Sequence, residues 1–302
     1  MPHTPESPLR LPPTLRKKLG SADEKARVSA ILRQANISTV CEEARCPNIG
    51  ECFSSGTATF MILGDRCTRR CHFCNVKTAR PRAVDPEEPQ RLADAAAALG
   101  LSHVVVTSVD RDELADKGAR HWAACIRALH AGLPHAVVEV LVPDFAGKPA
   151  LWDMILEAKP DVFNHNLETV PRLYQQVRPQ SRWEHSSAFI AYARKNGFVT
   201  KSGIMVGLGE DDDEVLHTLE HMAALGVNIA TIGQYLRPSL SHWAVQRYVD
   251  DTSYEAFRTH GVAAGIDHVF AGAFVRSSYH AAEAHRSLPA RTARHAALPI
   301  LS

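Results

Sequence analysis

The sequence has no long apolar run, no excess of charge and no leader-like N-terminus. No apolar run approaches the roughly 18 residues that a membrane-spanning helix needs. With 34 Lys and Arg against 33 Asp and Glu, the formal charge is +1, which argues against a global basic field for nucleic acid. Residues 1–13 are polar and rich in proline, and they lack the apolar core of a signal peptide. These absences predict a cytoplasmic protein without a membrane or nucleic-acid partner.

Cysteine is nearly absent outside one short stretch. Six of the seven cysteines lie within residues 41–74, and Cys125 stands alone in a predicted helix, where a single cysteine is usually a packing residue. The six form two triplets, with the spacings C-x4-C-x5-C and C-x3-C-x2-C. The first triplet is Cys41, Cys46 and Cys52, and the second triplet is Cys67, Cys71 and Cys74. Thiols grouped in this way indicate ligands.

Three thiols so close in sequence suit a disulfide framework, a structural zinc ion or an iron–sulfur cluster. Disulfides are disfavoured, because the cysteine count is odd, no secretory signal is visible and cytosolic thiols stay reduced. Structural zinc sites usually take four ligands from two C-x2-C pairs, and neither triplet faces a second pair, although thiolates suit zinc as well as iron. A cluster held by three thiolates leaves one iron for another ligand. The triplets favour two clusters, with zinc as the alternative.

Strand and helix patterns alternate along the middle of the chain. Short apolar or β-branched runs, typical of strands, fall at residues 58–64, 103–109, 136–142, 162–166, 198–206 and 228–235. Helical patterns separate them, with further helices at 23–34 and 253–264. This alternation predicts right-handed βαβ units and a parallel sheet that curls into an open, partial α/β barrel. We expect an N-terminal extension over 1–55, the barrel over 56–240, and a C-terminal extension over 241–302, whose tail from residue 285 onward is expected to be disordered.

Polar residues and glycines gather where several of these strands end. Thr107 and Asp110 follow the second strand, Glu168 follows the fourth, and Gly207 and Gly209 follow the fifth. In a parallel barrel the carboxyl ends of the strands form one rim, where active sites lie. Each residue alone is more often an ordinary loop residue than a ligand contact, but their common rim favours a site. The glycines do not form a dinucleotide fingerprint, which would follow the first strand and open a helix.

Three motifs resemble known enzyme signatures. Cys67-Thr-Arg-Arg-Cys-His-Phe-Cys74 resembles the C-x3-C-x-aromatic-C signature of the radical S-adenosylmethionine (SAM) superfamily, and it follows the first predicted strand. Thr39-Val-Cys-Glu-Glu-Ala-Arg-Cys-Pro-Asn-Ile-Gly-Glu-Cys52 is similar to the auxiliary-cluster loop of lipoyl synthases. Val275-Arg-Ser-Ser-Tyr-His-Ala281 is similar to the C-terminal motif of that family. Shorter stretches between them also match, so the resemblance to the lipoyl synthase family covers residues 14–281.

The resemblance implies a partial (β/α)6 barrel and an enzyme that inserts sulfur at C6 and C8 of an octanoyl group. It implies two 4Fe–4S clusters and SAM as cofactors. The second triplet would hold the cluster that binds SAM, and the first triplet would hold an auxiliary cluster that is sacrificed as the sulfur source. In this family a serine completes the auxiliary site; we expect Ser278 as this iron ligand and catalytic residue, with Ser277 as the alternative. The expected SAM contacts are Phe73, Thr107, Asp110 and Glu168.

The resemblance also implies protein partners. In this family the octanoyl group is carried on a lysine of a lipoyl carrier domain, such as those of 2-oxoacid dehydrogenase E2 subunits and the glycine cleavage H protein. The resemblance further implies a reductant such as flavodoxin or ferredoxin. It also implies an iron–sulfur carrier that rebuilds the auxiliary cluster. Two other interpretations stay open: a different radical SAM sulfur-inserting enzyme of the methylthiotransferase kind, and a zinc-stabilised binding module. Iron and sulfide content separates the second of these from the clusters.

The sequence departs from the family pattern at three places. Phe53 stands where the family usually has tryptophan after the third auxiliary cysteine, and residues 180–187 and 271–273 differ from the usual patterns. None of these changes removes a predicted cluster ligand. We therefore expect them to affect contacts with the carrier or the substrate and to leave the chemistry intact.

Overall fold

The computed structural model describes residues 12, 22–44, 46, 48–54, 58–278 and 281–286. Most of the predicted N-terminal extension before α1 lies outside these residues, and so do Arg45, Pro47, Tyr279 and the part of the predicted tail that follows residue 286. No helix in the described ranges is both long and apolar enough to cross a membrane.

The described residues form eleven α-helices and ten β-strands. The helices are α1 (Ala22–Ala35), α2 (Val40–Glu43), α3 (Ile49–Ser54), α4 (Glu88–Ala98), α5 (Ala119–Gly132), α6 (Pro149–Glu157), α7 (Pro171–Val177), α8 (Trp183–Lys195), α9 (Asp212–Ala224), α10 (Asp251–Ala263) and α11 (Ala281–Arg286). The strands are β1 (Ser38–Thr39), β2 (Thr59–Ile62), β3 (Arg66–Cys67), β4 (Lys77–Thr78), β5 (His103–Ser108), β6 (Val137–Leu141), β7 (Val162–Asn164), β8 (Val199–Val206), β9 (Ile229–Gln234) and β10 (His268–Gly272).

One sheet contains all the described strands except β3 and β4, which pair with each other. Its order is β1-β2-β5-β6-β7-β8-β9-β10. The pairs from β2 to β10 are parallel, and β1 joins β2 antiparallel at one edge. Helices connect consecutive parallel strands, which gives the βαβ crossovers expected for a curled sheet. The α/β partial barrel is therefore confirmed, with all six predicted strands present.

A seventh parallel strand, β10, extends the sheet beyond the predicted set. Its residues pair in register with β9, from His268 opposite Ile229 to Gly272 opposite Gly233. Alternate residues of β10 are buried and half-buried, and alanine and glycine at its end give a weak strand signal. No strand is predicted from the sequence over these residues. Helix α10 connects β9 to β10, so the sheet continues past residue 240. The domain boundary at residue 240 remains a prediction.

A buried ionic group ties the barrel wall together below its C-terminal rim. Lys201 on β8 donates to Glu139 on β6 across 2.9 Å, and each side chain is 1% exposed. His103 Nε2 lies 3.2 Å from the other carboxylate oxygen. Burial alone raises the pKa of Glu139, but Lys201 and His103 hold it at about 2. The contact spans β7, so these side chains must point into the curved interior.

The turn that follows β2 directs the chain towards the second triplet. Leu63 has a φ of 66° and Gly64 a φ of 94°, and a side chain at Leu63's left-handed φ is tolerated only when its surroundings hold it. Glu88 accepts the Leu63 amide N–H at 2.8 Å, and Arg111 donates to the Leu63 carbonyl at 3.0 Å. Gly118 leaves room for the Leu63 side chain, because a Cβ there would lie 2.7 Å from its Cδ1.

Candidate active site

The second triplet lies on the loop over residues 67–74, which leaves β2 at the C-terminal rim of the sheet. The Cys74 amide donates to the Cys71 carbonyl at 3.0 Å. Cys67 Sγ accepts the amide N–H groups of Arg69 and Asp110 at 3.4 and 3.3 Å, contacts that tune iron–sulfur clusters. Burial raises the pKa of Cys67 and of Cys74 to about 12. Iron must therefore displace protons from these thiols when it binds.

Arg69 fastens this loop to the ends of β5 and β6. Its side chain is 4% exposed, and it forms a two-pronged contact with Asp112 at 2.7 and 3.0 Å. Asp144 accepts from the guanidinium at 2.9 Å, and Asp110 lies 3.3 Å away. Ser181 accepts a further hydrogen bond at 3.2 Å. Bidentate arginine–carboxylate pairs fix geometry as well as charge, so the loop has a defined position before any cofactor binds.

Glu168 lies at the end of β7 in a strained backbone conformation. Its φ is 71°, a left-handed value that is costly for a residue with a Cβ and that often occurs at functional sites. Two hydrogen bonds hold it to β8, from its amide to the Gly203 carbonyl and from the Met205 amide to its carbonyl, each at 2.9 Å. Burial raises the pKa of Glu168, and nearby Arg178 and Asn166 oppose the rise.

Arg178 lies between this carboxylate and the second triplet. Burial raises the pKa of the Cys71 thiol, and the charge of the neighbouring Arg178 guanidinium partly lowers this pKa again. Arg178 Nη1 donates to the Tyr174 hydroxyl at 2.7 Å and to the Asn166 carbonyl at 3.2 Å. Arg178 Nε and the Oδ1 atoms of Asn164 and Asn166 are buried and have no hydrogen-bond partner among the described residues. Buried polar atoms rarely stay unsatisfied, so the pocket is suited to a polar, charged ligand such as SAM.

A chain of hydroxyl groups supports Arg178 from behind. His165 Nδ1 donates to the Val142 carbonyl at 2.7 Å, so Nε2 is the acceptor for the Ser186 hydroxyl at 2.8 Å. The Tyr174 hydroxyl then donates to Ser186 Oγ at 2.7 Å. Every hydrogen bond in the chain therefore has a fixed direction: Ser186 donates to His165, Tyr174 donates to Ser186, and the Arg178 guanidinium donates to Tyr174. The network orients the guanidinium without placing a second charge beside it.

The predicted SAM contacts occupy different positions around this pocket. Phe73 is half-buried against the apolar cluster behind β8 and β9. The Thr107 hydroxyl donates to the Leu141 carbonyl at 3.0 Å, and the Asp110 carboxylate faces Arg69 and Cys67. Burial raises the pKa of Asp110 to about 6, although Arg69 opposes this. Against the effect of burial, Arg178 lowers the pKa of both Glu168 and Asp110 through its charge. Their contacts with SAM remain predictions.

Two groups of residues near the pocket were not among the predicted site residues. Arg178 and Asn166 carry the unsatisfied polar atoms, and the Val-Arg-Pro179 stretch that ends α7 was the available signal. Trp243 stacks on His72 of the second-triplet loop, with ring centroids 6.1 Å apart, and its indole donates to the Leu208 carbonyl at 2.8 Å. The preceding residue, His242, donates from its imidazole Nε2 to the Cys74 carbonyl at 3.1 Å. This segment covers the loop from outside.

Two of the three cysteines in the first triplet lie on short helices, and Cys46 lies between these helices. Thr39 caps α2 by accepting the Glu42 amide at 3.3 Å, which places Cys41 in a buried first turn. The Cys46 amide donates to the Cys41 carbonyl at 3.0 Å, and Cys52 lies on α3. Burial raises the pKa of Cys41 to about 11. Backbone hydrogen bonds thus hold residue 46 to residue 41 and residue 52 to residue 48.

The C-terminal motif approaches both the first triplet and the rim. Asn48, between Cys46 and Cys52 in sequence, donates to the Phe274 carbonyl at 2.7 Å, and the Arg276 guanidinium interacts electrostatically with Cys46. Asn166 Nδ2 donates to Ser277 Oγ at 2.7 Å. The hydroxyl of Ser278 hydrogen-bonds to no described residue. Residues from three distant parts of the chain therefore meet at one place.

Glycine at position 233 permits this approach. A Cβ at Gly233 on β9 would lie 2.0 Å from the Val275 carbonyl oxygen and 2.9 Å from Arg276 Nη1. Real Cβ atoms do not come so close to backbone atoms. The C-terminal motif can therefore pack directly on β9 because residue 233 has no side chain. Within the described ranges, no three ligating side chains converge on a point as one metal ion requires. The irons of a cluster occupy separate corners and take their ligands one at a time.

The chain is similar to known proteins over most of its length. The radical SAM superfamily profile matches residues 61–222. The lipoyl synthase of Laribacter hongkongensis is 52% identical over 286 residues, covering 94% of this chain and 91% of that protein. The lipoyl synthase of Oleidesulfovibrio alaskensis is 50% identical over 273 residues, covering 90% and 94%. The chain belongs to the lipoyl synthase family. It is therefore a radical SAM enzyme that inserts sulfur, as the motifs predicted.

Solved structures support the same fold. Methylornithine synthase superposes with a TM-score of 0.55 at 14% identity, covering 83% of this chain and 79% of that one. The FeFe-hydrogenase maturase HydG gives 0.54 at 14% identity, covering 83% and 73%. At such identities the likeness concerns the fold alone. Lipoyl synthases belong to a superfamily whose enzymes use a 4Fe–4S cluster with SAM, and the residues around the second triplet suit that pair.

Proposed function

We propose that this enzyme inserts two sulfur atoms, at C6 and C8 of an octanoyl group carried on a lysine of a lipoyl carrier domain. Cys67, Cys71 and Cys74 would hold the cluster that binds SAM. Cys41, Cys46, Cys52 and Ser278 would hold a second 4Fe–4S cluster, which is the sulfur source. The observation that carries the proposal is the contact of Asn48 with the Phe274 carbonyl at 2.7 Å. It joins the first triplet to the serine motif across 226 residues of sequence.

The choice of Ser278 over Ser277 rests on their different surroundings. The Ser277 hydroxyl is already bound by Asn166 at 2.7 Å, whereas Ser278 has no hydrogen-bond partner among the described residues. A serine oxygen is a harder ligand than a thiolate and less well matched to iron in a sulfur-rich cluster. We infer that Ser278 is used because it releases its iron easily while sulfur leaves.

The residues around the second triplet divide the work of binding SAM. The C–H bonds of an octanoyl chain have no useful acidity, so the roughly 10²–10⁴-fold help of a general base cannot break them. The bound cluster and SAM together supply a 5′-deoxyadenosyl radical, the hard chemistry that a cofactor provides. Arg178 and Asn166 would bind the charged and polar groups of SAM with their unsatisfied atoms. Phe73, Thr107, Asp110 and Glu168 remain the proposed neighbours of SAM.

Partners and location follow from the same proposal. The carrier domains would be those of 2-oxoacid dehydrogenase E2 subunits and the glycine cleavage H protein. A flavodoxin or ferredoxin would supply electrons, and an iron–sulfur carrier would rebuild the spent cluster. All seven cysteines are free thiols, which suits a reducing compartment. We therefore place the enzyme in the cytoplasm.

The test is the mass of an octanoyl-lysyl peptide after anaerobic incubation with the iron-loaded enzyme, SAM and dithionite. Closed to its oxidised dithiolane form, the product gains two sulfurs and loses two hydrogens. Cys41→Ala should still cleave SAM to 5′-deoxyadenosine but leave the peptide without sulfur. Cys71→Ala should abolish both reactions. Sulfur insertion by Cys41→Ala would contradict the assignment of the sulfur source.

A further inference from the structure

The stretch around the second triplet carries an unusual concentration of positive charge. The whole chain is nearly neutral, with 34 basic and 33 acidic residues. Between residues 66 and 84, however, no Asp or Glu occurs, and the basic residues are Arg66, Arg69, Arg70, Lys77, Arg80 and Arg82. A local field of one sign on a neutral protein is a docking feature, because charge of this kind steers association more than it stabilises a fold.

Four of these six side chains are exposed and form no ion pair with a described residue. Arg69 is buried among three aspartates, and Arg66 lies 3.8 Å from Asp65. The remaining set, which we call the basic ribbon, has no carboxylate partner in the described part of the chain. The basic ribbon consists of Arg70, Lys77, Arg80 and Arg82, all exposed. It presents its charge to solvent without internal neutralisation.

The segment that carries Lys77, Arg80 and Arg82 is hydrogen-bonded directly to the loop of the second triplet. Strands β3 and β4 are parallel neighbours, with Arg66 opposite Lys77 and Cys67 opposite Thr78. The Thr78 hydroxyl donates to the Arg69 carbonyl at 3.1 Å, and the Ala79 amide donates to the Cys67 carbonyl at 3.2 Å. Paired strands lie about 4.8 Å apart. The ribbon therefore begins one strand spacing from a cysteine of the SAM-binding cluster.

This location fits one kind of partner best. Electron transfer between proteins falls steeply with distance, so an electron donor must dock beside the cluster that it reduces. A carrier domain has no such need, because its long octanoyl-lysyl arm reaches the site through the rim of the barrel. Weak redox encounters use small, charged surfaces, and acidic donors are complementary to a basic patch. The geometry thus favours a redox protein over the carrier.

We propose that the basic ribbon is the docking surface for an acidic one-electron donor protein. The inference rests on the proposed function, because it assumes that Cys67, Cys71 and Cys74 hold a redox-active cluster. The donor's reduced cofactor loses one electron and the cluster gains it, with no proton or group transferred between the proteins. Positive side chains beside the cluster bring the donor into contact at its closest point of approach.

The experiment compares two reductants in one variant. In the iron-loaded triple variant Lys77→Glu/Arg80→Glu/Arg82→Glu, 5′-deoxyadenosine formation is measured with reduced flavodoxin, an acidic probe, and with dithionite, which needs no docking. We expect the flavodoxin-driven rate to fall about tenfold or more at low salt. The defect should shrink as wild-type docking is screened by added salt. The dithionite-driven rate should equal that of the wild type.

A matched variant tests whether position matters and not net charge. Arg120→Glu/Arg127→Glu/Lys195→Glu makes the same charge change at exposed sites on the outer helices α5 and α8, and it should keep the flavodoxin-driven rate. Equal losses in both variants would overturn the proposal, as would loss of the dithionite-driven rate in the ribbon variant. So would a ribbon variant that accepts electrons normally but fails only on a whole octanoylated carrier domain. Absence of dithionite-driven cleavage in the wild type would instead refute the proposed function.

Discussion

Ser278 offers a hydroxyl at the proposed auxiliary site, where the other three ligands are thiols. We expect Ser278→Cys to keep the iron and sulfide content of the wild type, because thiolate binds iron at least as well as alkoxide. Sulfur insertion should slow by about tenfold or more, since the iron is released less easily. Iron analysis and single-turnover product formation measure the two effects. Ser277→Ala, the control, should keep both; loss of auxiliary iron in that variant would make Ser277 the ligand.

Gly233 matters because it has no side chain. In Gly233→Ala, the new Cβ would meet the Val275 carbonyl oxygen at 2.0 Å, and overpacking of this kind costs about 1–3 kcal/mol. The central strand β9 is held on both sides, so the C-terminal motif should move instead. We expect loss of the auxiliary cluster, with iron falling from about eight to about four per chain. SAM cleavage with dithionite should persist.

Gly272→Ala is the matched control for this effect. Gly272 lies on β10, and of the described residues a Cβ there would meet the Val275 side chain alone, at an ordinary 3.5 Å. Its iron content should equal that of the wild type. Equal iron loss in both alanine variants would show that the motif responds to any change nearby and not to the close approach at Gly233.

His165 is held neutral in the folded chain. Both of its ring nitrogens are committed, Nδ1 as donor to Val142 and Nε2 as acceptor from Ser186. Burial, followed by the charge of Arg178, lowers the pKa of His165 from 6.5 to about 4. Unfolding therefore takes up a proton between these two values, and stability falls as the pH drops from about 6.5 towards 4.

We expect the His165→Asn variant to lose this part of the acid sensitivity. Asparagine retains an N–H donor but does not titrate. Between pH 7.5 and pH 5 the wild type should lose about 2 kcal/mol more of its free energy of unfolding than the variant does. Urea unfolding of the iron-free proteins at the two pH values measures this difference. Equal losses would mean that the histidine titrates normally in the fold.

At the scale of elements, the loop of the second triplet depends on one buried cation. In Arg69→Gln the carboxylate of Asp144, 1% exposed, loses its counter-charge. Breaking a buried ion pair on one side costs about 3–5 kcal/mol. The loop should then lose its position, so we expect loss of iron from the second triplet, retention at the first, and no SAM cleavage. Iron content and anaerobic spectra follow this outcome.

Arg70→Gln provides the control for the loop. Arg70 is the next residue along the chain and has the same side chain, but it is exposed. Its replacement should leave the iron content and dithionite-driven SAM cleavage unchanged. If the two variants lose iron equally, the buried contacts of Arg69 do not position the loop.

Periodicity in the sequence was enough to predict most elements of the fold. The helices predicted at 23–34 and 253–264 match α1 and α10 to within about two residues, and six strands were placed correctly. Strand β10 was missed, because a short edge strand that ends in alanine and glycine carries little periodic signal. Helix α11 was also unexpected, since its last residues lie in the stretch assigned to the tail.

The candidate site was predictable where it is local in sequence. Both cysteine triplets are short spacings, and their chemistry follows from residue type. The partners of Arg69 and Arg178 come from other strand ends, and pairs so far apart leave no trace in a single sequence. Asp110 illustrates the limit: its position on the rim was predicted, but its carboxylate faces Arg69, an arrangement that only the fold determines. Arg178 was overlooked for the same reason.

At the scale of the whole molecule, the two extensions of the barrel hold each other. Asn48, 1% exposed, joins the first triplet to the C-terminal segment through its hydrogen bond to the Phe274 carbonyl. In Asn48→Asp an acceptor replaces the donor, which costs about 1–3 kcal/mol for unsatisfied buried groups. We expect both segments to loosen together, with faster amide hydrogen exchange in residues 41–54 and 275–278. The barrel strands β5 to β9 should keep their protection.

The Asn75→Asp variant distinguishes loss of the Asn48–Phe274 hydrogen bond, which we call the clasp, from a general loosening of the first triplet. Asn75 donates to the Glu43 carbonyl at 2.8 Å, so its loss should speed exchange in residues 41–54 while residues 275–278 stay protected. The clasp is contradicted if Asn48→Asp leaves 275–278 protected, or if Asn75→Asp exposes that segment equally. A joint response to Asn48→Asp alone would mean that each extension needs the other to keep its place. Because this hydrogen bond holds the segment that carries Ser278 against the first triplet, its loss should also remove the auxiliary iron.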